Sequence, residues 1–485
     1  MELPAEIGRL TSLQTLPYFN VGEEKGYHIE ELGNLKNLKG ELTIRNLERV
    51  RDKEEALKAN ILQKQHLSSL QFEWGRDCSG DRNDESVLDG LRPHANLKEL
   101  KIKGYEGEKF PTWLQDEECE EITLNHFPSL RSFYLWGLRR LECLSTRFFY
   151  NHCNLSRLEI NRCDMLRALP DGLDTLNSLK VLRIVWCRNL KSIGKPRCRE
   201  GENRGILRQL SIIDYGELME LPRQMLELWA PTIESIQLVG LRCLANLPML
   251  SYPRLRRLKI SGVPHLPLLM DCLAKSSPLL TDLTIRGIPK LMSAGIVESW
   301  DLGRLKNLNI DVSVEWSEES SIAINETVNG ILEGCCNSLT HLTLRGVENW
   351  KWLPQSIQRL TSLTRLKLEN IGIEELPQWF GNLSDLRMLC LYDCTKLRCL
   401  PSVDALKPLT KLKEIQFPDC PKLSIDSERR NHPNLHIGDT LYIFDDISYG
   451  ISEVARTGKA ALLWESTPST RLRGFLGFLA TKISL

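Results

Sequence analysis

Leu353-Pro354-Gln355-Ser356-Ile357-Gln358-Arg359-Leu360-Thr361-Ser362-Leu363-Thr364-Arg365-Leu366-Lys367-Leu368 decides the fold. Its second half, Leu363-x2-Leu366-x-Leu368, alternates apolar and polar residues, the pattern of a strand with one buried face. Its first half places apolar residues every three positions, which suits a tight 3₁₀ segment. The proline ends strand pairing where the chain must turn. One such unit cannot close a core, so it must stack on copies of itself.

The copies are present. From Leu97/Leu100/Ile102 to Leu412/Ile415/Phe417 the strand pattern occurs thirteen times, mostly 22–28 residues apart. That period identifies leucine-rich repeats. The expected fold is α/β: a horseshoe solenoid with a parallel concave sheet of about fifteen strands, short convex turns or 3₁₀ segments and few long helices. The full return path also appears at Leu3–Leu13, Leu169–Leu179 and Leu376–Leu386. Leu210 and Leu283 are expected in the core.

Three divisions follow. Residues 1–96 carry looser repeats, marked by Leu13/Leu16, Leu42/Ile44 and Leu67/Leu70/Phe72. Asp52 followed by Glu55, with Leu57 and Ile61 one turn apart, predicts a helix near 52–64. Residues 97–425 hold the regular repeats, and 426–485 form a non-repeat tail that includes the apolar run Leu472–Leu479. Gaps at 74–94, 110–128 and 311–338 read as insertions. The acidic run Asp116–Glu121 in the second reads as a solvated loop.

Composition narrows the function. Sixty-three lysines and arginines balance 63 aspartates and glutamates, so no global charge draws the chain to nucleic acid or a membrane. The sequence has no apolar stretch of bilayer length. It opens inside a repeat, without a secretory signal or a polar cap, which predicts a fragment of a longer protein. Of the 15 cysteines, Cys163, Cys187, Cys394 and Cys420 occupy the Asn/Cys slot of their repeats, where the thiol is expected to bond to backbone. An odd count and slot thiols point to a reducing, cytoplasmic (or nuclear) location.

No phosphate-binding loop, zinc spacing or nucleophile elbow appears, so no cofactor, metal or enzymatic activity is expected. Cys390-x3-Cys394-x4-Cys399 does not qualify as a zinc set, because Cys390 and Cys394 belong to different faces of the repeat. What varies is the outward strand face. The leucine columns barely change, whereas the positions between them carry diverse chemistry. Lys101, Tyr134, Trp136, Glu159, Arg183, Trp186, Lys259, Arg286, Arg345, Lys367 and Tyr392 are the candidate partner-binding residues. Several are of the types that dominate interface energies.

The N-terminal third is more specific. Ile29-Glu30-Glu31-Leu32-Gly33-Asn34-Leu35-Lys36-Asn37-Leu38-Lys39-Gly40-Glu41-Leu42-Thr43-Ile44 leads to Asn46-Leu47-Glu48-Arg49-Val50. Glu55-Ala56-x2-Ala59-Asn60-Ile61-Leu62-x-Lys64 and His66-Leu67-x2-Leu70-x3-Trp74 follow. Together with Phe110-Pro111-Thr112-Trp113-Leu114 and Leu376-Pro377-Gln378-Trp379-Phe380, they resemble plant intracellular disease-resistance receptors of the coiled-coil, nucleotide-binding, leucine-rich-repeat class. The resemblance covers about residues 1–425 and is strongest over 29–74. It implies a module that recognises a protein: a pathogen effector, a host guard protein, or the nucleotide-binding domain it restrains. The family's nucleotide switch maps to no residue here. The alternative is the substrate-recruiting repeat of a ubiquitin ligase, which needs an F-box; an extracellular receptor ectodomain would show the pattern L-x-x-N-x-L-x-G-x-I-P and a signal peptide, and this sequence shows neither.

Overall fold

The computed structural model describes residues 4–75, 83–115, 127–144, 154–197, 205–213, 216–244, 250–263, 278–286, 302–312, 320–424 and 436–438. The acidic run 116–121 and the tail beyond 438 lie outside the described residues.

Among the described residues, seventeen strands form one sheet. They are β1 (Tyr18–Asn20), β2 (Lys39–Arg45), β3 (His66–Glu73), β4 (Glu99–Lys103), β5 (Ser132–Trp136) and β6 (Arg157–Asn161). Then come β7 (Val181–Val185), β8 (Gln209–Ile213), β9 (Ser235–Val239), β10 (Arg257–Ser261), β11 (Asp282–Arg286) and β12 (Asn307–Asp311). The last are β13 (His341–Arg345), β14 (Arg365–Glu369), β15 (Met388–Tyr392), β16 (Glu414–Gln416) and β17 (His436–Gly438). Each pairs in parallel with the next, as Leu258↔Leu283, Leu283↔Leu308 and Leu366↔Leu389 illustrate. The pairing is in register except at Gly40/Glu41, where β2 bulges against β3. β17 lies inside the segment read as non-repeat, so the sheet continues past residue 426.

The leucines drive this stacking. Leu210 and Leu283 are each 1% exposed and belong to one continuous apolar core. A large apolar side chain gains about 1.5–3 kcal/mol when fully buried. The ladder therefore sets the strand spacing, and the outward positions are left free to vary. All four proline-marked return paths contain the expected 3₁₀ turn: Ile7–Arg9, Leu173–Thr175, Gln355–Arg359 and Gln378–Asn382. The slot thiols bond to backbone as expected. Cys187 donates to the carbonyl of Val185 at 3.6 Å and Cys420 to that of Leu391 at 3.4 Å.

Helices differ from the expectation in length and number. The helix near 52–64 shrinks to Lys53–Leu57. Asp52 caps it by accepting the Glu55 N–H at 2.9 Å, and Glu55 accepts the Arg51 N–H at 2.9 Å. Leu57 is exposed and Asn60 takes a left-handed turn, which stops the helix before Ile61. Inside the insertion 311–338, Ser320–Gly334 is a helix of 15 residues. Val328, Ile331, Leu332 and Cys335 bury one face of it, and Asn325 accepts the indole N–H of buried Trp350 at 2.9 Å.

The family-like motifs of the N-terminal third pack rather than project. Thr112–Gln115 is a short helix docked on the helix Asp84–Gly90. Trp113 donates to the Leu88 carbonyl at 3.2 Å, and Asp89 accepts both the N–H and the hydroxyl of Thr112. Trp74 meets Tyr105 edge-on at 5.4 Å. Lys64 is 1% exposed; its ammonium donates to the carbonyls of Leu32 and Leu35 at 2.7 and 3.0 Å. It thereby gives the Leu35 carbonyl a donor and adds a second one at Leu32, whose carbonyl also accepts the Leu35 N–H, just past the 3₁₀ turn Ile29–Leu32.

Candidate protein-interaction face

Outward side chains alternate with the leucines along every strand, so the concave face is built from two columns. The first runs through Lys101, Tyr134, Glu159, Arg183, Lys259 and Lys367 on β4, β5, β6, β7, β10 and β14. The second runs through Trp136, Arg286, Arg345 and Tyr392 on β5, β11, β13 and β15. Trp186 belongs to neither. It follows β7 by one residue and has φ +54°.

That position forms a third column, which the sequence reading missed. Asn46, Gly104, Gly137, Arg162, Trp186, Gly240, Gly262, Asn370 and Asp393 all take a left-handed backbone just past their strand. From Gly104 onward each extends the pairing by one bond: Gly104 N–H donates to the Trp136 carbonyl at 2.8 Å and Trp186 N–H to that of Ile213 at 2.7 Å. Glycine, asparagine and aspartate tolerate this conformation; other residues lose roughly 1–2 kcal/mol there. Arg162 and Trp186 are the two bulky exceptions. They stack on each other, with the guanidinium 4.6 Å from the ring centroid. Trp186→Asn, which installs a residue type used elsewhere in the column, is expected to leave the melting temperature unchanged or raised. The lost stacking is worth about 0.5–1 kcal/mol at an exposed site and the relieved strain at least as much. A clear fall in thermal unfolding would mean that Trp186 serves the fold.

The two columns are not uniformly exposed. Trp136 in the second column and Trp186 in the third are exposed aromatics of the face, at 41% and 37%. Val185, Ser211 and Cys390, which also point outward, are buried. Strands stand only about 4.8 Å apart, so long neighbours cover short side chains. Ser211 sits in register between Arg183 and Gln237 and donates to the Gln237 carbonyl oxygen at 3.2 Å.

Electrostatics divide the face. Glu73 on β3 pairs with Arg45 at 3.5 Å and also with Lys103. Lys101 reaches Glu99 at 2.8 Å and Arg183 reaches Glu159 at 3.8 Å. Arg345 lies 3.5 Å from Glu369 and 3.9 Å from Asp311, and Lys367 lies 3.3 Å from Glu369. Lysines also sit over rings: Lys101 over Tyr134 at 5.2 Å and Lys367 over Tyr392 at 5.7 Å. Burial raises the phenols of Tyr134 and Tyr392 above their ordinary value, and it pushes the Cys390 thiol up to about 11. These groups stay protonated near neutral pH, so the face offers hydrogen bonding and contact area rather than a nucleophile. Among the described residues no three histidines, cysteines or carboxylates gather as metal ligands, and no helix is long and apolar enough to cross a membrane.

The comparisons agree with the N-terminal resemblance. Residues 29–149 match the family described as R13L1/DRL21 LRRs. The repeats resemble those of plant disease-resistance proteins. RGA4 of Solanum bulbocastanum is 34% identical over 222 residues, 45% of this chain and 22% of its own length. RGA2 of the same plant is 33% identical over 203 residues, 41% of this chain and 20% of its own. RPP13-like protein 1 of Arabidopsis thaliana is 32% identical over 211 residues, 36% and 20% respectively. The chain thus spans about a fifth of the length of these relatives. Among solved structures, a leucine-rich-repeat protein of Leptospira interrogans has a TM-score of 0.41 at 16% identity, covering 89% of this chain and 97% of its own.

Proposed function

We propose that the chain is a protein-interaction module of plant immunity. Its concave face would receive a pathogen effector or host guard protein, or hold a nucleotide-binding signalling domain at rest. One observation carries this reading. A nearly invariant leucine ladder supports outward columns of unrelated chemistry, with Trp136 and Trp186 exposed on them. Exposed aromatics and arginines on a rigid scaffold are the residue types that concentrate binding energy.

Alanine at Trp136, Arg183, Arg286 or Tyr392 is expected to shift stability by no more than about 0.5 kcal/mol. Arg345 is set apart, because it pairs with both Asp311 and Glu369 and its removal would disturb that network. The same substitutions should weaken partner binding by about 1 kcal/mol or more. The measurement is calorimetry against a pathogen effector or the nucleotide-binding domain of a related receptor. Unchanged binding in all of them, with binding abolished by changes in 74–94 or 311–338, would move recognition to the insertions.

A further inference from the structure

Lys259 and Arg286 break the charge rule of the concave face. Arg45, Lys101, Lys103, Arg183, Arg345 and Lys367 each have a carboxylate within 4.0 Å. Among the described residues, Lys259 and Arg286 have none; neither do Arg157 on β6 and Arg257, two residues before Lys259 on β10. Lys259 and Arg286 instead neighbour each other on β10 and β11, and the Nε of Arg286 is buried without a hydrogen-bond partner. Asp311, in register beside Arg286, is engaged by Arg345 on its other side. Asp282 is held by the Thr281 hydroxyl and the Asn307 amide.

Register completes the group. Lys259 pairs with Thr284 and Ser261 with Arg286, so two cations and two hydroxyls occupy the corners of one four-residue patch. Burial and the charge of Arg286 both push the Lys259 ammonium below its ordinary value, a cost that an incoming anion would remove. Neighbouring like charges with no carboxylate within 4.0 Å among the described residues favour an incoming anion.

We propose that Lys259, Ser261, Thr284 and Arg286 form a seat for a phosphorylated side chain of the partner protein. The proposal rests on reading the concave face as the binding surface, and it specifies the partner's chemistry. A phosphoryl group carries about −1.5 to −2 at pH 7 and three acceptor oxygens. That matches two cations flanked by hydroxyl donors. A single carboxylate carries one charge and would leave half of the patch uncompensated. Arginine suits the role because its planar donors meet phosphoryl oxygens in pairs.

The test uses the full chain and needs no partner. The probes are acetyl-Gly-phosphoSer-Gly-amide and the glutamate tripeptide acetyl-Gly-Glu-Gly-amide, titrated by calorimetry or by phosphorus NMR. The phosphopeptide should bind at least tenfold more tightly than the glutamate peptide. Lys259→Met and Arg286→Gln should each weaken it at least tenfold, whereas Arg223→Gln, exposed on the helix Arg223–Trp229, should change it less than twofold. Binding should fall from pH 7.5 to pH 5, as the second phosphate ionisation near 6 is reversed. Equal affinity for the two peptides would make the patch a carboxylate seat and overturn the proposal. So would no binding, or binding indifferent to both substitutions. None of these outcomes touches the alanine series above, which tests the face itself.

Discussion

Leu283→Asp should leave the protein in the insoluble fraction, or soluble without a cooperative thermal transition. Leu283 is buried on β11, paired with Leu258 on one side and Leu308 on the other. A carboxylate there would be charged, unpaired and without water, and removing compensation from a buried charge costs about 3–5 kcal/mol. Protonation would lower that figure but leave a polar group without partners. The solenoid transmits the damage because each strand rests on its neighbours alone. Thr284→Asp is the control. One residue along, its side chain points to the other face and is half-exposed, so the variant should fold. A soluble, cooperatively melting Leu283→Asp protein would mean that the leucine columns are not the core.

Lys64→Met should lower stability by about 2 kcal/mol at neutral pH. The methionine fills the space but leaves the carbonyl of Leu35 without a donor, whereas that of Leu32 keeps the Leu35 N–H at 3.1 Å; a buried unsatisfied group costs about 1–3 kcal/mol. Part of that is offset, because an ammonium no longer has to be buried. The sign of the pH dependence separates the two effects. Burial pushes the Lys64 ammonium down to about 8 from its ordinary 10.5. Between those values the unfolded chain holds a proton that the folded chain has released, so the wild-type contribution rises with pH across that window. Below pH 8 both states are charged and the full burial cost is felt. The neutral amine still has two N–H groups for two carbonyls. Denaturant titrations at pH 7.5 and pH 10 should therefore show the stability gap between wild type and Lys64→Met widening with pH. A constant or narrowing gap would mean that the amine does not titrate in the fold.

The fold was legible wherever its cause is periodic. The leucine alternation located the strands, and the Leu-Pro-x2-apolar spacing located four 3₁₀ returns. The helix Ser320–Gly334 carried its own signal in Val328, Ile331, Leu332 and Cys335, but a long gap between strands hid it. Leu57 and Ile61 stand at helical spacing, yet Asn60 turns left-handed between them, and local geometry overrode the pattern.

The face was legible only as a set of outward positions. Its pairing was not, because Arg345 meets Asp311 and Glu369 across strands separated by long connections. Lys259 and Arg286 look like any other cations in the sequence; only their cross-strand proximity without a carboxylate sets them apart. The left-handed column announces itself through glycine and asparagine. At Arg162 and Trp186 neither residue is present, so no sequence rule would have placed them there.

Register has an evolutionary corollary. From β3 onward every strand meets the next without slippage, so equivalent residues are interchangeable junctions. Excision of Arg365 through Arg387 would join Thr364 to Met388, the residue that already pairs with Arg365. β15 would then lie where β14 had been, with leucine on leucine and Asp393 at the left-handed turn of Asn370. Unequal recombination between repeats can therefore delete or duplicate a unit, reshuffling the outward chemistry in a single event while the scaffold closes without a scar.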